Sequence, residues 1–216
     1  MITGDLFPAI ANVADEPLGE GAVVLRGFAL ADEAALLRAI ERIVALAPFR
    51  HLLTPGGQRM SVAMTHAGAL GWFSDRRGYR YEALDPHSGR PWPPMPEVFR
   101  RLATAAAGRA GFAGFVPDAC LINRYEPGTR LSLHQDRDER DFNHPIVSVS
   151  LGIPAVFLFG GARRTDPVRR VPLAHGDVVV WGGTARLHHH GVLAVKPDHH
   201  ALLGDVRINL TFRRAG

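Results

Sequence analysis

The 216-residue chain is short of several things, and each shortage closes off a class of protein. It has a single cysteine, Cys120. No internal disulfide can form, so a reducing compartment is expected. No apolar run approaches the roughly 18 residues needed to cross a bilayer, so no membrane partner is expected. The opening MITGDLFPAI has neither a basic stretch nor a long apolar one. A secretory leader is therefore not expected, and the expected location is cytoplasmic. Lysine is almost missing: Lys196 is the only one among 25 Lys and Arg residues. Repeats, low-complexity tracts and linkers are absent too. One domain over residues 1–216, working as a monomer, is the expectation.

What is present is ordinary for a globular protein: 46% hydrophobic and 21% charged residues, and enough length for a sizeable core. The formal net charge is +4. Arginines come in pairs at Arg76–Arg77, Arg100–Arg101, Arg163–Arg164, Arg169–Arg170 and Arg213–Arg214. Codon bias accounts for this blandly; a phosphate-binding face accounts for it functionally.

The first 20 residues read as loop. GAVVLRGF (21–28) reads as a strand. DEAALLRAIERIVAL (32–46) has helical spacing at Leu36, Leu37, Ile40, Ile43 and Val44. TPGG (54–57) is a turn and MSVAMT (60–65) a strand. Residues 66–95, rich in Gly and Pro, read as an irregular region that can hold a short hairpin. Pro96 can open a second helix with Phe99, Leu102, Ala103 and Ala106 inward. From residue 117 short apolar runs succeed one another: CLINRY, LSLHQD, IVSVSLG, AVFLFGG, RRVPL, DVVVWGG, LHHHGV and RINLTFR. Eight strand candidates in about a hundred residues point to a barrel or jelly roll. The overall class is mainly β with flanking helices (α+β).

In LSLHQDRDE (131–139), the period of two puts His134 and Asp136 on one strand face, with Cβ atoms about 7 Å apart. Such a pair can converge on one cation. A third ligand from LHHHGV (187–192) would complete the two-histidine, one-carboxylate facial triad of non-haem Fe(II) oxygenases, which leaves coordination positions open. Within that run His188 and His190 share a face. His190, next to Gly191, is slightly favoured; His188 stays in contention, and His175 in AHGDVVVWGG is a weaker competitor.

RINLTFR (207–213) alternates cleanly. Arg207, Asn209, Thr211 and Arg213 face one way, and Ile208, Leu210 and Phe212 the other. Two arginines on an inward face call for an anion, because an unpaired buried guanidinium is costly. Their Cα atoms should lie about 20 Å apart on a straight strand. One small dicarboxylate can satisfy both only if the long side chains slant toward each other, so Arg207 and Arg213 are expected to hold opposite ends of it; the alternative is that Arg213 pairs with a protein carboxylate such as Asp136. In NRY, Asn123 and Tyr125 share a face and can donate to a carboxylate; Arg124 points away.

Together NRYEPG, LHQDRDE, IVSVSLG, the HG of LHHHG and R-x-N-x-T-x-R resemble the AlkB family, and the likeness reaches forward to TPGG, MSVAMT, GALGW and GDLF. The resemblance implies a double-stranded β-helix (a jelly roll) over about 117–216, with N-terminal support and a nucleotide-recognition lid over about 1–116. It implies Fe(II) on His134, Asp136 and His190, and 2-oxoglutarate on Asn123, Tyr125, Arg207, Asn209 and Arg213. It puts Trp72, Tyr79 and Tyr81 on the lid against the nucleotide, and Asp138 and Arg164 against substrate beside the metal. The implied reaction consumes O₂ and 2-oxoglutarate and demethylates 1-methyladenine or 3-methylcytosine, with succinate, CO₂ and formaldehyde as products. Single- or double-stranded alkylated DNA, and RNA, are the implied partners, with the base held between Trp72 and His134. Two departures stand out. Histidines precede His190 where the family has bulky residues, and Ile208 replaces an aromatic. The rival expectations are the same chemistry on RNA, protein or lipid, and a basic jelly roll that binds nucleic acid without catalysis.

Overall fold

The computed structural model describes residues 14–216. The GDLF stretch and the leader reading of the first ten residues lie outside the described residues. Among the described residues, thirteen strands form a seven-stranded, a four-stranded and a two-stranded sheet, antiparallel throughout. The large sheet runs β1 (Glu16–Gly19), β2 (Ala22–Leu25), β11 (Val178–Trp181), β8 (Ile146–Gly152), β13 (Arg207–Arg213), β6 (Ala119–Tyr125) and β3 (Ala63–Gly68). The small sheet runs β10 (Arg169–Leu173), β9 (Ala155–Phe159), β12 (His190–Val192) and β7 (Leu131–His134). β4 (Gly71–Asp75) and β5 (Gly78–Glu82) make a hairpin of their own. This is the jelly-roll architecture.

β13 explains the layering. Ile208, Leu210 and Phe212 join one apolar cluster with Leu36, Ile40 and Ile43 of α1 (Glu33–Leu46) and Phe99, Leu102 and Ala106 of α2 (Glu97–Arg109). The helices thus cover the outer face of the large sheet, at roughly 1.5–3 kcal/mol per large side chain removed from water. Phe99 meets Phe212 edge-on, with centroids 5.7 Å apart. The other face of β13 is polar: Arg207, Asn209, Thr211 and Arg213 are all buried. They look toward a second cluster that includes Phe157 and Phe159 of the small sheet. The functional face is therefore the inside of the sandwich.

Several sequence readings shift. The first 20 residues are not all loop, because Glu16–Gly19 pairs with Ala22–Leu25 through a turn in which Gly21 has φ 75°. The N-terminal part does more than support: β1, β2 and β3 extend the large sheet on both edges. β3 begins at Ala63 rather than residue 60 and continues to Gly68. The hairpin expected within 66–95 is β4–β5. LHHHGV is extended only from His190. A turn of 3₁₀ helix at Gly183–Ala185 runs into Arg186 and Leu187, so the alternation assumed for His188 and His190 does not exist.

Members of the arginine pairs are bound to carboxylates of this chain. Arg101 is bound to Asp32, Arg163 to Asp166, Arg169 to Glu16 and Arg213 to Asp136. Four others, Arg59, Arg130, Arg137 and Arg164, line the cavity described next.

Candidate active site

Between the sheets and under the β4–β5 hairpin lies a cavity of about 700 Å³. All thirteen residues singled out from the sequence line it: His134, Asp136, His190, Asn123, Tyr125, Arg207, Asn209, Arg213, Trp72, Tyr79, Tyr81, Asp138 and Arg164. His188 does not. Its ring packs beside Phe159 at 5.5 Å, and its Nδ1 is buried without a hydrogen-bond partner among the described residues.

His134 ends β7, His190 begins β12, and the two are direct cross-strand neighbours with ring centroids 4.4 Å apart. Asp136 follows two residues after β7. Its Oδ1 lies 3.6 Å from His134 Nε2, and its Oδ2 3.7 Å from His190 Nε2. One ligand atom from each residue falls within 4.8 Å of the others. Backbone carbonyls fix both rings: Nδ1 of His134 faces the Ser132 oxygen at 2.9 Å, and Nδ1 of His190 faces the His188 oxygen at 3.0 Å. A carbonyl can only accept, so each Nδ1 carries the proton and each Nε2 offers a lone pair to the shared point. Burial, then the neighbouring His134, pushes His190 down to about 3. Burial opposes ionisation of Asp136, but Arg213 and the two histidines outweigh it and hold its carboxyl well below the usual range. Burial opposes protonation of His134, but its hydrogen bond to the Asp136 carboxylate outweighs it and raises the ring above the ordinary histidine value. The donor set is two imidazoles and a carboxylate, which fits a divalent cation that displaces that proton.

Arg213 gives both Nε and Nη2 to Asp136 Oδ2, at 2.9 and 2.5 Å. Arg207 differs. It is 2% exposed, Nη2 donates to Ser150 Oγ at 3.0 Å, and Tyr125 lies 4.9 Å under its guanidinium. Among the described residues, its Nε and Nη1 have no hydrogen-bond partner, and neither does the buried Asn123 Oδ1. The two leftover Arg207 N–H donors in a polar cavity fit a carboxylate from outside the chain, whereas Asn123 Oδ1 can only accept. Asn209 is fully occupied within the protein: its amide nitrogen donates to Ser148 Oγ and the Val149 oxygen, and its oxygen accepts from Asn123 and Thr211. It is built to hold Asn123 in place.

At the mouth, Trp72 and Tyr81 sit opposite each other in the hairpin. Trp72 stacks on Tyr79 at 5.4 Å and 14°, and its Nε1 donates to Asp138 Oδ2 at 2.7 Å. Arg80 forks onto both oxygens of Asp75 at 2.9 and 3.0 Å, which braces the turn. Arg164 caps the Leu133 oxygen at 2.6 Å.

Sequence reasoning missed Glu139 and Arg186. Glu139 hid in the charged run RDERD, which reads as solvent-facing, yet it is 7% exposed. Arg186 donates to the Asp136 and His144 backbone oxygens and to Glu139. Neither motif nor period marks them.

A second cluster, Glu33, His175 and His200, also brings three possible ligands together. Here the Gly152 amide donates to His175 Nδ1 at 2.8 Å. The proton of the neutral ring must then sit on Nε2, 2.7 Å from Glu33. A protonated nitrogen offers no lone pair, so this cluster does not fit a metal.

The family model described as "2OG-Fe(II) oxygenase superfamily" matches residues 21–213. The chain is 55% identical to the Alpha-ketoglutarate-dependent dioxygenase AlkB of Escherichia coli, over 98% of each chain. It is 34% identical to the Nucleic acid dioxygenase ALKBH1 of Mus musculus over 56% of this chain and 31% of that one. Among solved structures, that of OsALKBH1 superposes with a TM-score of 0.81 at 30% identity, covering 93% of this chain and all of that one.

Proposed function

The chain belongs to the AlkB family of the 2OG-Fe(II) oxygenase superfamily, and we propose that it demethylates 1-methyladenine- and 3-methylcytosine-type lesions in single- and double-stranded DNA and in RNA. It is a 2-oxoglutarate-dependent dioxygenase that uses Fe(II), 2-oxoglutarate and O₂. The observation that carries the nucleic-acid reading is one cavity with the His134–Asp136–His190 donors inside and Trp72, Tyr79 and Asp138 at its mouth.

His134, Asp136 and His190 would hold the iron. When bound, iron with the ketoacid and O₂ supplies the oxidising power for a C–H bond and leaves succinate and CO₂. The chain's own tasks are orientation and exclusion. Arg207 presents its two free N–H donors to a carboxylate of 2-oxoglutarate, beside Tyr125 and Asn123. Asn209 fixes Asn123.

A methyl on N1 of adenine or N3 of cytosine makes the base a cation. Asp138 offers it a counter-charge. Trp72 offers one ring face, the other being covered by Tyr79. The base sits between Trp72 and His134. Methylation has already broken its pairing, so extruding it from a duplex costs little. Hydroxylation gives an N-hydroxymethyl group, which falls apart to formaldehyde and the repaired base. Arg59, Arg130, Arg137 and Arg164 take phosphates, so binding weakens steeply with salt.

The test is formaldehyde release from methylated single-stranded DNA, duplex DNA, RNA and peptide in parallel. Release is expected from the nucleic acids and not from the peptide. Inactivity on every nucleic acid by a protein that still takes up 2-oxoglutarate would reject the reading.

A further inference from the structure

Two hydrogen bonds tie the hairpin to the loop just beyond the ligand Asp136. Trp72 bonds Asp138, and its cross-strand partner Tyr81 gives its hydroxyl to Glu139 Oε1 at 2.7 Å. The second bond does not end there. Glu139 Oε1 also lies 3.3 Å from Arg213 Nε, and Glu139 Oε2 accepts from Arg186 at 3.1 Å. Arg213 in turn holds Asp136 Oδ2 with two N–H groups. The side chains of Glu139, Arg186 and Arg213 are 2%, 3% and 7% exposed, so water screens this chain of contacts little. Burial, followed by the nearby carboxylates, keeps the Tyr81 phenol protonated, hence a donor.

Arg213 Nε is thus shared between two carboxylates. Its hold on Asp136 Oδ2 draws on the carboxylate charge that a metal would also use, and its pull toward Glu139 relieves that competition. The Tyr81 hydroxyl draws on the lone pairs of the same Glu139 oxygen and works the other way.

We propose that Glu139 is a positioning residue that sets how tightly Arg213 holds the ligand carboxylate of Asp136, and that Tyr81 connects this setting to the hairpin over the cavity. The inference rests on the iron-site reading above. A bond that the hairpin makes through Tyr81 and a cation at Asp136 oppose each other, and the opposition is reciprocal.

The experiment is titration with Mn(II) alone, read from the electron paramagnetic resonance of the free ion, with no turnover required. Glu139→Gln keeps the shape but loses the charge, and Mn(II) should bind roughly tenfold more weakly. Tyr81→Phe changes no charge, and Mn(II) should bind about threefold more tightly. Opposite signs separate the relay from a general loss of packing, which would weaken binding in both variants. In the parent, Mn(II) should also speed hydrogen exchange of the amides at 78–82, and Tyr81→Phe should abolish that response. Should Glu139→Gln fail to fold, Tyr81→Phe decides: tighter binding upholds the relay, equal or weaker binding overturns it. A parent that binds Mn(II), beside a Glu139→Gln that binds it equally well, overturns the inference alone. A parent that binds no Mn(II) overturns the iron site as well.

Discussion

Among the described residues, two places gather histidines and a carboxylate at ligand distance, and only one of them is built to receive a metal. At His134–Asp136–His190, backbone carbonyls hold both Nδ1 protons, and the Nε2 lone pairs converge. At Glu33–His175–His200, a backbone amide takes the Nδ1 lone pair of His175, and the remaining proton lies against Glu33, while His200 stacks on the ring at 4.2 Å. Spacing alone does not separate them. The tautomer does, and it is set by which backbone group each ring meets. A further contrast follows. The first region leaves two N–H groups of a buried guanidinium over, on Arg207; in the second, Nδ1 of His175 is taken by a backbone amide and Nε2 lies 2.7 Å from a carboxylate of the same chain.

The hardest blow to this contrast would be metal binding in the wrong place. In anaerobic protein given Fe(II) and 2-oxoglutarate, a weak visible charge-transfer band is expected. His190→Ala should lose it, and with it about a thousandfold or more in turnover. His188→Ala and His200→Ala should keep it. A band that survives His190→Ala and disappears in either of the others ends the distinction.

Next in size is Arg207. Its guanidinium is buried with two unpartnered nitrogens, so replacing it should cut both ways. Arg207→Met should weaken 2-oxoglutarate binding by at least about a hundredfold in calorimetry. The same change should stabilise the ligand-free protein by roughly 1–3 kcal/mol in urea unfolding, because it removes a buried charge that faces no carboxylate among the described residues. A ligand-free variant less stable than the parent would mean that Arg207 is already satisfied, and the cavity then needs no visitor.

How much of this was readable beforehand depends on whether the signal was local. β13 wrote out its two faces in seven residues, and both proved right. The strands from 117 onward announced themselves by short apolar runs closed by Gly, Pro or Asp. All three tyrosines, Tyr79, Tyr81 and Tyr125, line the cavity, two of them foreseen as lid residues and one as a carboxylate donor. Less could be read where the deciding partner is far along the chain. Glu139 looked solvated because its partners, Tyr81, Arg186 and Arg213, lie 58, 47 and 74 residues away (139−81, 186−139, 213−139). The strand at Glu16–Gly19 was missed because its four residues include a proline and a glycine, and it forms only on the edge that β2 supplies. His188 stayed in play because the turn at 183–187 that breaks the alternation has no proline to mark it.

Smaller effects belong to the closed cluster. His175→Phe keeps an aromatic ring for His200 to stack on, but leaves the Gly152 amide without an acceptor. The expected cost is about 1–2 kcal/mol in unfolding, with turnover per folded molecule unchanged. A cost accompanied by loss of metal uptake would place a ligand where the tautomer argument forbids one.

The finest test uses pH. Burial, then the neighbouring His200, holds His175 below the ordinary histidine range in the folded protein. Unfolding releases it to bind a proton more readily, so in mild acid the unfolded chain carries more protons than the folded one. Stability must then fall as pH drops below the ordinary histidine range. His66, fully buried against Trp92 and pushed down to about 3, acts in the same direction, so the parent alone cannot isolate His175. The difference between the parent and His175→Phe can. It should be largest near neutrality and shrink as the pH falls, because protonation removes the Nδ1 lone pair that the Gly152 amide uses. A difference that stays constant through the acid range would mean that this nitrogen never accepted that amide, and the physical ground for separating the two clusters would be gone.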